Sequence, residues 1–199
     1  MKREEKRLAL KESLITATHI QIEKNGFANL RAREVSAEVG CALGTIYTVF
    51  ADLNELIFHA NSRTIDRLSE ELAKSTATAV SPEEKLLTLA LSYQTFARKH
   101  TNLWLSLFEH TLITQAEPPD WHLEKHVVIF NHIAQPLAVL FPDLEERELL
   151  LRARTLFSAV HGLVSMSVQE RFVAVPLAEL EPQVALLVKA SIEGMKQLD

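Results

Sequence analysis

Residues 26–56 read GFANLRAREVSAEVGCALGTIYTVFADLNEL, and this stretch decides how the chain begins to fold. Apolar residues recur at three- and four-residue intervals in two short segments, 32–39 and 43–49, which predicts two short helices. Gly40 follows the first segment, and a glycine at that position is typical of a helix end. Two short helices joined by a tight turn form a helix-turn-helix, which places its second helix in a DNA groove.

The rest of the chain also carries helical patterns, which predicts an all-α fold. The sequence has only 5 Gly and 7 Pro, and it lacks a sustained alternation of β-branched residues. Asp52, Ser81 and Asp143 precede helical patterns, and their side chains can accept hydrogen bonds from a first helical turn. Helices are predicted over about residues 4–24, 53–74, 82–99, 101–115, 120–140, 143–169 and 182–196.

The composition excludes several classes of protein. Hydrophobic residues make up 47% of the chain and charged residues 24%, as in a folded rather than a disordered protein. No run of about 18 uncharged apolar residues occurs, so no membrane span is predicted. The start, MKREE, is charged and predicts no secretory signal. The single cysteine, Cys41, forms no internal disulfide, so we expect a cytoplasmic protein.

The charge is distributed unevenly along the chain. Residues 1–50 carry 8 Lys and Arg against 6 Asp and Glu, whereas the whole chain has 21 against 26. A weakly basic end on an acidic body suits contact with phosphate. The basic residues before residue 12 have two interpretations, a tail that reaches DNA or a solvated helix start. They are Lys2, Arg3, Lys6, Arg7 and Lys11.

Residues 26–56 resemble the DNA-binding domain of the TetR family of transcriptional regulators. The matching residues are Gly26-Phe27, Arg33-Glu34-Val35-Ser36, Val39-Gly40-Cys41-Ala42, Gly44-Thr45-Ile46-Tyr47, Phe50 and Glu55-Leu56. The resemblance implies a three-helix DNA-binding domain over residues 1–54 and a larger helical ligand-binding and dimerisation bundle over 55–199. It also implies a homodimer, paired through its last two helices, on near-palindromic operator DNA. A repressor released by a small molecule is expected, with a ligand-independent regulator or activator as the alternative.

The matched segment predicts which residues contact DNA. Thr45 and Tyr47 offer hydroxyls to phosphate oxygens, and Gly44 lets the helix approach the duplex closely. Where the family usually has His or Tyr, this chain has Val49, and where the family usually has Lys, it has Leu53. These two departures predict weaker contact with the DNA backbone. The predicted contact residues are Arg31, Arg33, Ala42, Leu43, Gly44, Thr45, Tyr47 and Thr48.

Two of these residues have a plain structural alternative. The Tyr47 ring is alternatively a half-buried core group, and Arg33 alternatively pairs with a surface carboxylate. Gln21 also departs from the family, which prefers an apolar residue there. Cys41 replaces a core valine, which favours a buried inert thiol over a redox sensor.

Aromatic and histidine residues in the middle of the chain predict a pocket for an apolar or aromatic effector. The alternative is that they form an ordinary core. The predicted pocket residues are Tyr93, Phe96, Trp104, Phe108, His110, Trp121, His122, His126, Phe130, Phe157 and His161. Around His161, the residues 160–163 read VHGL and resemble a Trp-His-Gly segment of one TetR subgroup.

No enzyme, metal or cofactor is predicted. His122 and His126 are four residues apart, so both rings could meet one metal ion, but no third ligand lies nearby in the sequence. An enzyme using these residues or His161 is a remote alternative, because no nucleophile occurs with a base and an orienting residue.

The last two helices are rich in Leu, Ala and Val, which predicts a four-helix seam with a second copy. The predicted seam residues are Leu149, Leu156, Phe157, Val160, Leu163, Val184, Leu187, Val188 and Ile192.

Overall fold

The structure is a computed structural model that describes residues 2–198. Within these residues it contains nine α-helices, one short 3₁₀ helix and no β-strand, which confirms the all-α prediction. The helices are α1 (Lys2–Asn25), α2 (Ala32–Val39), α3 (Leu43–Val49), α4 (Leu53–Ser75), α5 (Pro82–Lys99), α6 (Thr101–Thr114), α7 (Asp120–Leu140), α8 (Glu146–Val168) and α9 (Leu180–Lys196). The 3₁₀ helix, Phe27–Asn29, was not predicted. No helix among residues 2–198 combines the length and apolar character needed to cross a membrane.

Two helices begin with the capping interactions that the sequence predicts. At the start of α4 the Glu55 N–H donates to Asp52 Oδ1 at 2.8 Å, and the Glu55 carboxylate accepts the Ala51 N–H at 2.6 Å. At the start of α5 the Glu84 N–H donates to Ser81 Oγ at 3.1 Å. These bonds satisfy donors that have no partner inside a helix, and they therefore fix where each helix begins.

The predicted cap at Asp143 is wrong. The Leu144 N–H donates to the Phe141 carbonyl at 3.3 Å, so Asp143 lies inside a turn rather than at the helix boundary. The residue before α8 is Glu145, which has extended backbone and no capping bond from its side chain. Because of this turn, α8 begins at Glu146 rather than at about residue 143, as the sequence predicted.

The chain divides into two compact units. The first contains the residues up to Arg67 together with His100–Lys125, and the second contains Leu68–Lys99 and the residues from His126 onward. The division falls within α4 and α7, and the domain boundary expected at residue 54 stays a prediction. Fully buried residues of the first unit's core include Leu14, Ile22, Val35, Ile46 and Leu56.

In the second unit α5, α8 and α9 pack on one another. Five residues that the sequence assigned to a seam with a second copy are instead buried within this unit: Leu156, Val160, Val184, Val188 and Ile192. For these five residues the prediction was wrong because one apolar stripe on each helix packs against the chain itself. The large apolar residues of α8 and α9 that stay exposed are Leu150, Leu151, Met166 and Leu186.

Asp52 and Asp143 give a matched test of the capping analysis. Asp52→Ala removes the bond to the Glu55 N–H, and we expect it to lower the free energy of unfolding by about 1 kcal/mol. Asp143→Ala removes no cap and should change it by less than about 0.5 kcal/mol. Urea unfolding followed by circular dichroism measures both; equal losses would contradict the assignment.

Candidate functional site

The turn between α2 and α3 depends on Gly40. Its backbone is left-handed, with φ 74° and ψ 31°, a conformation that L side chains rarely adopt. The Gly40 N–H donates to the Ala37 carbonyl at 3.1 Å, and the Cys41 N–H donates to the Ser36 carbonyl at 2.9 Å. This closes α2 sharply and starts α3 three residues later. Cys41 is partly buried against the core, which agrees with a packing role.

One side of α3 is buried and the other faces solvent. Ile46 is fully buried in the first unit's core, whereas Tyr47 is 53% exposed, so about half of its surface is open to solvent. A Cβ added at Gly44 would have no atom within 4 Å, so packing within the chain does not require a glycine there. Of the other predicted contact residues on α3 and at its start, Ala42 and Thr48 are exposed, and Leu43 and Thr45 are partly buried.

The two predicted phosphate-binding arginines differ in what they contact. Arg31 donates to the carbonyls of Ala28 and Leu30 at 3.0 and 2.9 Å, so its guanidinium supports the connection into α2. Arg33 is exposed, and no carboxylate of the described residues lies within ion-pair distance of it. The alternative of a surface ion pair is therefore not seen for Arg33.

The departures from the family pattern have clear places in the structure. Val49 and Leu53 both pack against the first unit's core. The Gln21 amide donates to the Glu38 carboxylate at 3.2 Å, which links α1 to α2 by a polar contact. The helix α1 begins at Lys2, so the basic residues near the start lie on a helix, and contact between them and DNA stays a prediction.

Five of the predicted pocket residues lie in the first unit: Trp104, Phe108, His110, Trp121 and His122. Of these, His122 is buried, with Nδ1 2.8 Å from Ser62 Oγ. His110 is fully buried, with Nε2 3.1 Å from Asn54 Oδ1 and its ring 4.4 Å from that of Phe58. Burial lowers the pKa of His110 to about 4, so its imidazole is neutral at neutral pH. These contacts describe a packed core.

The other predicted pocket residues lie in the second unit, which contains an apolar cavity of about 40 Å³. Tyr93 and Phe157 line this cavity, and the Tyr93 hydroxyl lies 2.8 Å from His161 Nδ1. His161 stacks on Phe157 at 5.5 Å between ring centroids, and Phe130 meets Phe157 edge-on at 5.1 Å. Phe96 is buried. Burial lowers the pKa values of His126 and His161, so both rings are neutral at neutral pH.

Most of the cavity lining is aliphatic and was missed by a search for aromatic residues. The missed residues are Leu72, Leu86, Leu89, Ala90, Ile129, Ile133, Leu156, Val160 and Val188. The signal was present in the sequence, because 86, 89, 90 and 93 form one face of α5 and 129 and 133 form one face of α7. Among residues 2–198, no cluster of three or more His, Cys, Asp or Glu residues is arranged to hold a metal ion.

The fold and this exposed helix-turn-helix surface define a class of DNA-binding protein, and comparison with known proteins gives its family. Residues 86–190, more than half of the chain, match the family model described as the Tetracyclin repressor-like, C-terminal domain. The chain therefore belongs to the TetR family and is a DNA-binding transcriptional regulator. No curated protein matches it.

Solved structures with a similar fold are distant in sequence. A protein of unknown function from Rhodococcus sp. RHA1 is 18% identical, with 93% of this chain and 94% of that chain covered and a TM-score of 0.74. A putative TetR-family transcriptional regulator from Rhodococcus sp. is 16% identical, with 92% and 99% covered and a TM-score of 0.71. RolR in complex with resorcinol is 15% identical, with 96% and 89% covered and a TM-score of 0.70.

Gly40 and Gly44 should respond in opposite ways to alanine. Gly40→Ala forces a Cβ into a left-handed conformation, and we expect a loss of roughly 1–2 kcal/mol in the free energy of unfolding. Gly44→Ala meets no atom and replaces a helical glycine, so stability should stay unchanged or rise by up to about 1 kcal/mol. Thermal and urea unfolding test the pair; a clear loss of stability in Gly44→Ala would show that the chain itself needs that glycine.

Proposed function

We propose that this regulator is a repressor that binds near-palindromic operator DNA as a homodimer and is released by a small apolar or aromatic molecule. The observation that carries the DNA-binding part is the two-sided character of α3. Ile46 anchors one side in the core, and Gly44, Tyr47 and Thr48 face solvent on the other. A helix anchored in this way can enter a major groove without losing its packing.

The proposed DNA contacts follow from side-chain chemistry and exposure. The Tyr47 and Thr45 hydroxyls are suited to phosphate oxygens, which fix the register of α3. Arg33 supplies a cation with no carboxylate partner among the described residues. Arg31 is tied to two backbone carbonyls and is proposed to position α2 beside the phosphates. Ala42, Leu43 and Thr48 are proposed to meet base edges, for which their size and position are suited.

A homodimer would place two copies of α3 in successive major grooves, about 34–36 Å apart. The exposed apolar side chains of α8 and α9 support pairing through these helices. Leu151 and Leu186 are 45% and 61% exposed in the single chain. A second copy covering them would remove apolar area from water. This revises the residues of the proposed seam but keeps it on the last two helices.

The proposed effector site is the apolar cavity of the second unit. At about 40 Å³ it is far smaller than typical ligand pockets of about 300–1,000 Å³, so an effector must move the lining helices apart. Binding would then favour a conformation other than this one, as release from DNA requires. The similar fold of RolR, whose structure contains resorcinol, supports a small aromatic effector.

The remaining alternatives have direct tests. A ligand-independent regulator or activator would bind operator DNA with no response to any cavity probe. The family argues against an enzyme, but metal analysis of the purified protein is a cheap check. Stoichiometric zinc or iron would revive a role for His122 or His126. Action on operator DNA also favours the cytoplasmic location predicted from the sequence.

The DNA-binding proposal predicts one near-palindromic site among genomic fragments selected by the purified protein and then footprinted. We expect Tyr47→Ala and Gly44→Ala to weaken binding by about tenfold or more, because one loses a phosphate contact and the other adds a methyl at the interface. Arg33→Ala should also reduce the slope of log K against log salt by about 1. Lys99→Ala, an exposed change in the second unit, is the control. Uniform weak binding to all fragments would reject the proposal.

The effector proposal is tested by filling the cavity. Ala90 is 8% exposed and lines it, so Ala90→Leu adds apolar volume where an effector would lie. We expect resorcinol to raise the melting temperature of the wild-type protein and to weaken its operator complex, by mass action on the effector-bound state. Ala90→Leu should bind operator normally and lose both responses. If resorcinol responses persist unchanged in Ala90→Leu, the cavity is not the site.

A further inference from the structure

A second hollow adjoins the apolar cavity in the second unit. This groove measures about 450 Å³ and is lined by Thr76, Val80, Ser81, Pro82, Lys85, Leu89, His132, Gln135, Pro136 and Val139. Leu89 lines both the groove and the cavity. The two hollows therefore lie on either side of one leucine side chain.

Two helices, α5 and α7, line both the groove and the cavity. On α5, Lys85 lines the groove and Leu86 the cavity, and on α7, His132 lines the groove and Ile133 the cavity. Residues 82, 85, 89 and 93 follow one stripe of α5 at three- and four-residue spacing. A single elongated molecule could thus follow α5 from the groove into the cavity once Leu89 moves aside.

The chemistry of the two hollows is different. Apart from the Tyr93 hydroxyl, which is already bonded to His161, every side chain that lines the cavity is a hydrocarbon or the Phe157 ring. A polar head placed there would lose its hydration without gaining partners. In the groove, the Gln135 amide offers polar atoms, whereas the Thr76 hydroxyl already donates to the Leu72 carbonyl and Ser81 Oγ already accepts the Glu84 N–H. The cavity thus suits only the apolar part of a ligand, and the groove suits its head.

The groove also has a definite charge. Lys85 is the one basic residue other than histidine in the lining, none of the ten lining residues is acidic, and no carboxylate of the described residues pairs with Lys85. His132 lies 3.1 Å from Ser69 Oγ, and burial lowers its pKa, so it is neutral at neutral pH. The Glu84 carboxylate beside the groove accepts the N–H of Val80 at 2.8 Å, so an anionic head would meet a Lys85 ammonium that forms no ion pair within the described residues.

We propose that the effector is an amphipathic anion, with its carboxylate at Lys85 in the groove and its apolar chain passing Leu89 into the cavity. Eight residues separate Lys85 from Tyr93, which is about 12 Å along α5. That length corresponds to a chain of roughly eight to ten carbons, given a carbon–carbon bond of ~1.5 Å. This inference rests on the proposed effector site and specifies which class of molecule fills it.

Octanoate is the test probe, with 1-octanol as its neutral analogue, octylammonium as its cationic analogue and butanoate as its short analogue. Calorimetry on the full-length protein should show octanoate binding about tenfold more tightly than 1-octanol, with octylammonium and butanoate weaker still. Lys85→Met should reduce octanoate affinity about tenfold and change 1-octanol affinity by less than about twofold. Lys99→Met, at the other end of the same helix, should change neither.

The variant Ala90→Leu distinguishes a failure of this inference from a failure of the effector proposal on which it rests. Both octanoate and 1-octanol should lose affinity in Ala90→Leu, because both place their chains in the cavity. One outcome would reject the anionic head but keep the cavity as the effector site. In it, 1-octanol binds and loses affinity in Ala90→Leu, while octanoate binds no more tightly than 1-octanol and Lys85→Met has no effect. If octanoate binding responds to Lys85→Met but not to Ala90→Leu, it is a surface contact and the inference is rejected. If none of these probes binds, the amphipathic anion is rejected, and the resorcinol test alone then decides whether the cavity is an effector site.

Discussion

The burial of Ile46 is the contact on which the proposed DNA-binding surface depends. The helix α3 has seven residues, and an isolated helix of that length is not stable in water. Ile46 is its one fully buried residue, and the Phe50 N–H that closes the helix donates to the Ile46 carbonyl at 2.9 Å. The orientation of Tyr47 and Gly44 is therefore fixed by a side chain on the opposite face. The geometry of the proposed DNA-binding surface is therefore set by the packing of the core on the opposite side of α3.

Local signals explain why this half of the molecule could be predicted from the sequence. Gly40 ends α2 through its own backbone, and Asp52 with Glu55 begins α4 through bonds between residues three and four apart. Interactions that close within one helical turn leave a mark in the sequence at fixed spacing. Asp143 shows the limit of the approach, because a turn and a helix start use the same residue types. The bond within the turn decides between them.

The second unit was harder to predict because its interactions are long-range. The apolar stripes of α8 and α9 indicate burial but not which surface covers them. Val184 and Val188 are buried against their own chain, while Leu186 between them stays 61% exposed. The pocket prediction failed to find most of the lining for a related reason. Aromatic and histidine residues stand out in a sequence, whereas Leu86 and Ile129 look like any other core residues until the fold brings them together.

The partly buried histidines show how the structure places polar groups beside apolar packing. Partial burial lowers the pKa values of His126, His132 and His161 in the second unit, so their rings are neutral at neutral pH. Each neutral ring can still form a hydrogen bond, as the ring of His161 does with the Tyr93 hydroxyl. That bond leaves the nearby cavity with no free polar partner. A ligand can then be selected in the cavity by shape and apolar area alone, and any charge recognition must come from a separate place such as Lys85.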